Sequence, residues 1–232
     1  MKFRSVFMTL SCAFALAACG GQDGSASVQA GSAAAEVPAG SVKVQTAHGE
    51  AVVPQNPERV AVYDLGAVDT LSKLGVKIGA SVDAQRLAYL DAPLKDAVKA
   101  GTLFEPNYEA LNAYNPQLIV IGSRMAKDKV SDELAKLAPT IDMTAQTDNM
   151  KESAKARIDA YGRIFGKQAE ADALKAEIDK TFADAKAAAQ GKGKGLVILV
   201  NAGKLSAFGP DSRLGGWIHR DIGVPAADEA IK

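Results

Sequence analysis

The sequence predicts an α/β protein: a parallel sheet covered by helices, then a long helix leading to a second strand-and-helix region. Three observations carry this. The short apolar runs "RVAVYD" (59–64), "PQLIVIG" (116–122) and "LVILVNAG" (196–203) read as strands buried on both faces. Segments with helical spacing alternate with the first two, the pattern of strands laid parallel and connected by helices. Residues 148–189 then keep helical periodicity without a strand and divide the chain into two lobes.

In chain order, "VKVQTAHGEAVVP" (42–54) reads as a hairpin turning near His48-Gly49. After the strand 59–64, "LGAVDTLSKLG" places Leu65, Val68, Leu71 and Leu74 on one helical face and stops at Gly75. Asp64 suits the N-cap of that helix better than an acid or base role. "VKIGASV" (76–82) and "GTLFEP" (101–106) are expected as strands and "NYEALNAYNP" (107–116) as a helix. The strand around 118–122, the helix "DKVSDELAKLA" and the strand "PTIDMT" complete the first lobe. The stretch 148–189 divides at "FGKQ", where Gly166 suits a helix C-cap. The second helix carries Glu170, Asp172, Lys175, Glu177, Asp179, Lys180, Asp184 and Lys186, charges around most of its circumference, as in a helix that bridges domains or lies on a surface. "GKGKG" resets the chain into the strand from 196, followed by a strand, a turn and a helix.

The two ends are expected to differ from this body. "MKFR" followed by "SVFMTLSCAFALAA" reads as a signal peptide, too short to span a membrane comfortably. It closes on "LAAC", so Cys19 is expected to become the lipidated first residue of the mature chain. Cys12 lies inside the removed segment, which leaves Cys19 as the sole thiol and no disulfide within one chain. The small, polar run 20–41 reads as a flexible tether. The expected organisation is 1–18 signal peptide, 19–41 tether, 42–166 N-terminal lobe, 167–190 bridging helix and 191–232 start of a C-terminal lobe. About 40 residues are too few to bury a core of this kind. The second lobe is therefore expected to be incomplete, with Leu196, Ile198, Val200, Leu214, Trp217 and Ile222 in need of cover.

Composition narrows the function. The chain has 27 basic and 27 acidic residues, and losing Lys2 and Arg4 leaves 25 against 27. With no basic stripe, a nucleic-acid partner is not expected. No phosphate-binding glycine loop, serine-nucleophile elbow, zinc-protease motif or cysteine pair is present. His48 and His219 suit surface or packing roles. Two arginines stand apart. Arg124 follows the strand ending at Gly122, and Arg213 lies in "AFGPDSRLGG", after a strand and at a helix start. Ligands of α/β sheets sit outside the carboxyl ends of the strands, and helix N-termini attract anions. Either arginine alone is equally well explained as a surface group or local ion-pair partner. Together, one on each side of the long helix, they suggest a cleft for an anion.

The ordered set "RVAVYDLGAVDTLSKLGV", "GTLFEPNYEALNAYNPQLIVIGSR", "LAPTIDMT", "YGRIFGK", "VILVNAGKLSAFGPDSRLGGWIH" and "PAADEAIK" resembles the periplasmic binding proteins of iron-siderophore and cobalamin importers. The resemblance is closest to lipoproteins that bind ferric catecholate (enterobactin-like) siderophores. It implies the class III periplasmic-binding-protein fold: two parallel-sheet lobes joined by one long helix, with little hinge closure. It implies a monomeric, non-enzymatic receptor, lipid-anchored at the periplasmic face of a bacterial membrane or at a cell surface. The ligand would be an iron(III)-siderophore complex, delivered to the permease of an ABC importer. The siderophore already wraps the iron, so no direct metal ligand from the protein is required and the lipid on Cys19 is the one covalent group. Arg124 and Arg213 would face the ligand, and Glu109 would dock on the permease. A further basic residue and a second docking glutamate are expected beyond residue 232. Gln85, Arg86 and Leu87 in the loop "DAQRLAYL" and Phe208, with Tyr63 and Phe104 beside other strand ends, are wall candidates.

A ferric tris-catecholate carries three net negative charges. Two unit charges about 5 Å apart at an effective dielectric near 20 attract by roughly 3 kcal/mol before desolvation, and the planar arginine fork suits catecholate oxygens. The paired arginines disfavour cobalamin. A haem receptor stays open, as does, from another class, a secreted α/β enzyme acting on an anion.

Overall fold

The computed structural model describes residues 37–83, 87–123, 125–126 and 128–231. The chain divides between 35 and 36 into two units, and all described residues belong to the second.

Strands β1 (Ser41–Thr46) and β2 (Gly49–Pro54) form an antiparallel hairpin with Thr46 opposite Gly49. The Thr46 hydroxyl donates to the Gly49 carbonyl at 2.8 Å and accepts from the His48 amide at 3.2 Å, closing the turn. Val44 and Val53 turn one face of the hairpin into the core.

The main sheet contains β3 (Val60–Val62), β4 (Ala80–Ser81), β5 (Val98–Lys99), β6 (Leu118–Ile121) and β7 (Thr140–Asp142). Its order is β5-β4-β3-β6-β7 and every pairing is parallel. Side chains alternate across a strand, so each apolar run serves two cores. Val60, Val62, Leu118 and Val120 pack with Val68 and Leu71 of α1 (Leu65–Lys73) and Ile158, Tyr161 and Ile164 of a later helix. Ala61, Ile119 and Ile121 pack on the other side with Leu111 and Leu134. These two belong to α3 (Tyr108–Tyr114) and α4 (Asp128–Ala135). The unbroken hydrophobicity of "LIVI" follows from burial on both faces.

Side-chain caps start the helices. Asp64 accepts from the Ala67 amide at 2.7 Å at the head of α1, and Asn107 accepts from Ala110 at 3.0 Å at the head of α3. Between β4 and β5 lie a 3-10 turn (Ala88–Leu90) and the short α2 (Asp91–Leu94). The strand expected at "GTLFEP" is instead a tight loop after β5. The Thr102 hydroxyl accepts from the amides of Phe104 and Glu105, and Gly101 bridges Pro106 across it. Gly101 has φ +108, and a Cβ there would stand 2.3 Å from the Glu105 carbonyl oxygen, so the extended conformation is given up for the turn.

Helix α5 (Met150–Ile164) ends at Gly166, and the 22-residue α6 (Gln168–Ala189) follows. Among its described side chains only Ala171 is fully buried, with Leu174 and Ile178 partly so. Ion pairs add to the contact between the two helices: Lys151 and Lys155 with Asp179 (2.8 and 2.7 Å) and Lys175 with Asp159 (2.9 Å). No helix among the described residues is long and apolar enough to cross a membrane.

Beyond α6, β8 (Val197–Asn201) and β9 (Lys204–Phe208) pair antiparallel. A connection of two residues, Ala202 (φ +48) and Gly203 (φ +76), permits only a hairpin, and left-handed conformations at both positions match the favoured turn. The parallel arrangement expected in this lobe is represented among the described residues by one bridge, Gly195 to Ala226. A π-helical turn (Trp217–Asp221) follows, with the His219 ring nitrogen Nδ1 2.8 Å from the Val224 carbonyl oxygen. The Arg220 guanidinium donates to the Asp148 carbonyl at 2.6 Å, tying this region to the approach to α5.

Candidate functional site

Three parallel strands end side by side. The Tyr63 amide donates to the Val120 carbonyl (2.8 Å) and the Met143 amide to the Ile121 carbonyl (2.9 Å), which carries the pairing just past the strand ends. At that edge lies a depression of about 240 Å³ lined by Tyr63, Asp64, Leu65, Leu103, Gly122 and Ser123. A second of about 180 Å³ shares Asp64 and Ser123 and adds Thr144, Arg157 and Arg213. The two form one trough.

Each group in it is held for a local reason. The Tyr63 hydroxyl donates to the Ala100 carbonyl at 2.6 Å, and burial pushes its pKa well above the ordinary phenol value. Thr144 is tied down by Asp142, whose carboxylate accepts from both its amide and its hydroxyl. The other carboxylate oxygen of Asp142 lies 2.9 Å from His48 Nε2, so the hairpin turn clips onto the end of β7. Asp64 lies against Gly122: a Cβ at 122 would stand 2.0 Å from its Oδ2, so the glycine leaves room for the carboxylate. Asp64 Oδ1 accepts from Arg157 Nη2 at 3.3 Å as well as from the Ala67 amide.

Arg157 belongs to α5 and its side chain is 18% exposed. Burial alone would lower its pKa, but the neighbouring Tyr161 and Asp64 outweigh that and raise it. Its Nε and the Tyr161 hydroxyl are buried without a hydrogen-bond partner among the described residues. Arg213 reaches the trough from the tight turn after β9. The Ser212 hydroxyl donates to the Gly209 carbonyl (2.7 Å) and accepts from the Gly215 amide (2.9 Å). A Cβ at Gly215 would sit 2.2 Å from the Gly209 carbonyl oxygen, so this turn depends on glycine.

The predicted site residues therefore fare differently. Arg213 lines the trough with Ser123 and Thr144. Arg124 lies outside the described residues, next to Ser123, and Gln85, Arg86 and Cys19 also lie outside them. Phe208 is half-buried at the end of β9 and does not line the trough. Glu109 stands exposed in the first turn of α3. Arg157 was missed, although a signal existed: it stands three residues after Ala154 and four before Tyr161, a helical spacing that puts a cation beside the core-facing side. Another depression, of about 240 Å³ beside β4 and β5, presents both acids and lysines. There Lys99 pairs with Asp83 at 3.5 Å, which leaves it less suited to an anion. Among the described residues no group of three or more His, Cys, Asp and Glu could hold a metal ion.

Residues 60–232 match the periplasmic binding protein family. The chain belongs to that family. It is 38% identical, over its full length, to the petrobactin-binding protein YclQ of Bacillus subtilis, and spans 72% of that protein. It is 33% identical to the ferric-anguibactin-binding protein FatB of Vibrio anguillarum over 79% of this chain and 58% of that one. The solved YclQ structure superposes with a TM-score of 0.74 at 35% identity, covering 83% of this chain and 68% of that one. The catecholate-siderophore binding protein VctP of Vibrio cholerae gives 0.74 at 29% identity, over 83% and 69%. The mixed α/β architecture is that of the class III binding proteins.

Proposed function

We propose that this chain is the ligand-capturing component of an iron importer. It holds an anionic ferric siderophore of the catecholate type in the trough and delivers it, chemically unchanged, to an ABC permease. The observation that carries this reading is the arrival of Arg213 in the same depression as Asp64, Ser123 and Thr144. It comes from about 90 residues further along the chain and brings a cation to the carboxyl edge of a parallel sheet, where α/β proteins take their ligands. The names of the relatives, binders of petrobactin, ferric anguibactin and catecholate siderophores, point to the same ligand class.

In this reading Arg124 joins Arg213 as a second cation, while Gln85 and Arg86 contribute to the outer wall. The lipid on Cys19 holds the protein at the membrane, two lobes separated by α6 enclose the ligand, and Glu109 meets the permease. Neutralising a trianion with guanidinium groups gives short, charge-assisted contacts without a metal ligand from the protein.

The single tryptophan, Trp217, provides the test. Titration of the full chain with the iron(III) complex of a tris-catecholate should quench its fluorescence saturably, with a Kd on the order of 1 μM or below. Quenching by haem and none by the catecholate complex would replace this ligand class with haem. No saturable binding of either would defeat the receptor reading.

A further inference from the structure

We infer that Arg157 is a direct anion contact at the floor of the trough, and that Asp64, the carboxylate paired with it, limits how strongly an anionic ligand binds. The inference rests on the siderophore reading above and adds to it a contact and a control on affinity.

A guanidinium carries five N–H donors. The Arg157 group spends one on Asp64, at 3.3 Å. That is long beside the roughly 2.7–2.9 Å usual for a charge-assisted bond. Asp64 Oδ1 is also shared with the Ala67 amide at 2.7 Å, so Arg157 has only part of that acceptor. Its Nε forms no further hydrogen bond of good geometry, and the Tyr161 hydroxyl lies close enough to the guanidinium to help hold its charge. A structural ion pair this well buried is ordinarily saturated by hydrogen bonds, because unpaired buried donors are unfavourable. Here the protein leaves donor capacity unused on a side chain that lines the trough alongside Arg213, Ser123 and Thr144. An anionic oxygen entering between the two arginines meets the exposed part of the Arg157 guanidinium beside Arg213, while the buried Nε stays out of its reach. Asp64, lining the same depression, repels that oxygen.

The arrangement makes two variants move affinity in opposite directions. Arg157→Gln removes the attractive charge. Asp64→Asn removes the repulsive one while keeping the oxygen that caps α1, since asparagine caps helices as well as aspartate. Binding of the iron(III) tris-catecholate trianion to the full chain should weaken about tenfold or more in Arg157→Gln and tighten about threefold or more in Asp64→Asn. Arg157→Lys should fall between Arg157→Gln and wild type. An uncharged iron(III) tris-hydroxamate is the control, and its affinity should not rise in Asp64→Asn. A purely structural pair predicts lower melting temperatures for both variants and no gain in trianion affinity. If Asp64→Asn binds the trianion no more tightly than wild type, or Arg157→Gln binds it equally well, the inference is overturned while the siderophore reading stands. If the wild-type chain binds neither complex, that reading fails and the inference fails with it.

Discussion

The strand runs "LIVI" in β6 and "VILVN" in β8 are nearly interchangeable as text, yet they occupy opposite environments. All four residues of β6 are buried, with α1 and α5 on one side of the sheet and α3 and α4 on the other. In the hairpin, Ile198 is 53% exposed, Val200 68% and Leu205 73%. The difference lies in what is packed against each strand. An apolar run states a capacity for burial worth about 25 cal/mol per Å², and a strand realises it only where another layer arrives. In β6 two layers arrive; over β8 and β9 none does among the described residues.

The comparison can be tested first by amide exchange. Amides of β6 should exchange at least about a thousandfold more slowly than those of β8, because core strands open near the global unfolding free energy and uncovered hairpins open locally. Equal protection would mean that the hairpin is as well covered as the sheet. Next, Ile119→Ala should lower unfolding free energy by about 2–5 kcal/mol through transfer and cavity terms. Leu205→Ala should change it by no more than about 0.5 kcal/mol. Chemical denaturation measures both, and similar losses would erase the distinction between the two regions.

The smallest expected effect concerns the helix pair between them. Burial alone would raise the Asp159 pKa, but hydrogen bonds from Lys175 and Gln168 overcome this and hold it below its ordinary value of 3.8. A carboxylate depressed in the folded state stabilises that state above its unfolded pKa, and the contribution fades as pH falls through the folded value. Stability of the wild type should therefore decline on acidification below about pH 4 more steeply than that of Asp159→Asn. Parallel pH profiles of melting temperature would show that this ion pair contributes nothing to the packing of α5 on α6.

Local signals located much of the first lobe. Asp64 before an apolar helix stripe, Gly75 and Gly166 at helix ends, and the strand at 118–121 all correspond to observed features. Where the reading failed, side-chain and backbone chemistry outside the hydrophobic pattern prevailed. "GTLFEP" has the β-propensity of a strand, but the Thr102 hydroxyl and the positive φ of Gly101 turn it into a loop. "VKIGASV" forms only two residues of strand, Ala80 and Ser81, held between β3 and β5.

The site divides the same way. Arg213 could be nominated from sequence because a cation beside a glycine-rich turn after a strand is a local pattern. Arg157 could not be assigned to the trough, because its place depends on α5 packing against β1 and on Asp64, 93 residues away. By itself the sequence determined the α/β class, the order of most elements and a cation at a strand edge, since all three depend on periodicity and neighbouring residues. Only the tertiary structure decided which apolar strand became core, which arginine met which carboxylate, and where unused donors collected. These depend on contacts between segments far apart in the chain, and hydrophobic spacing carries no record of those partners.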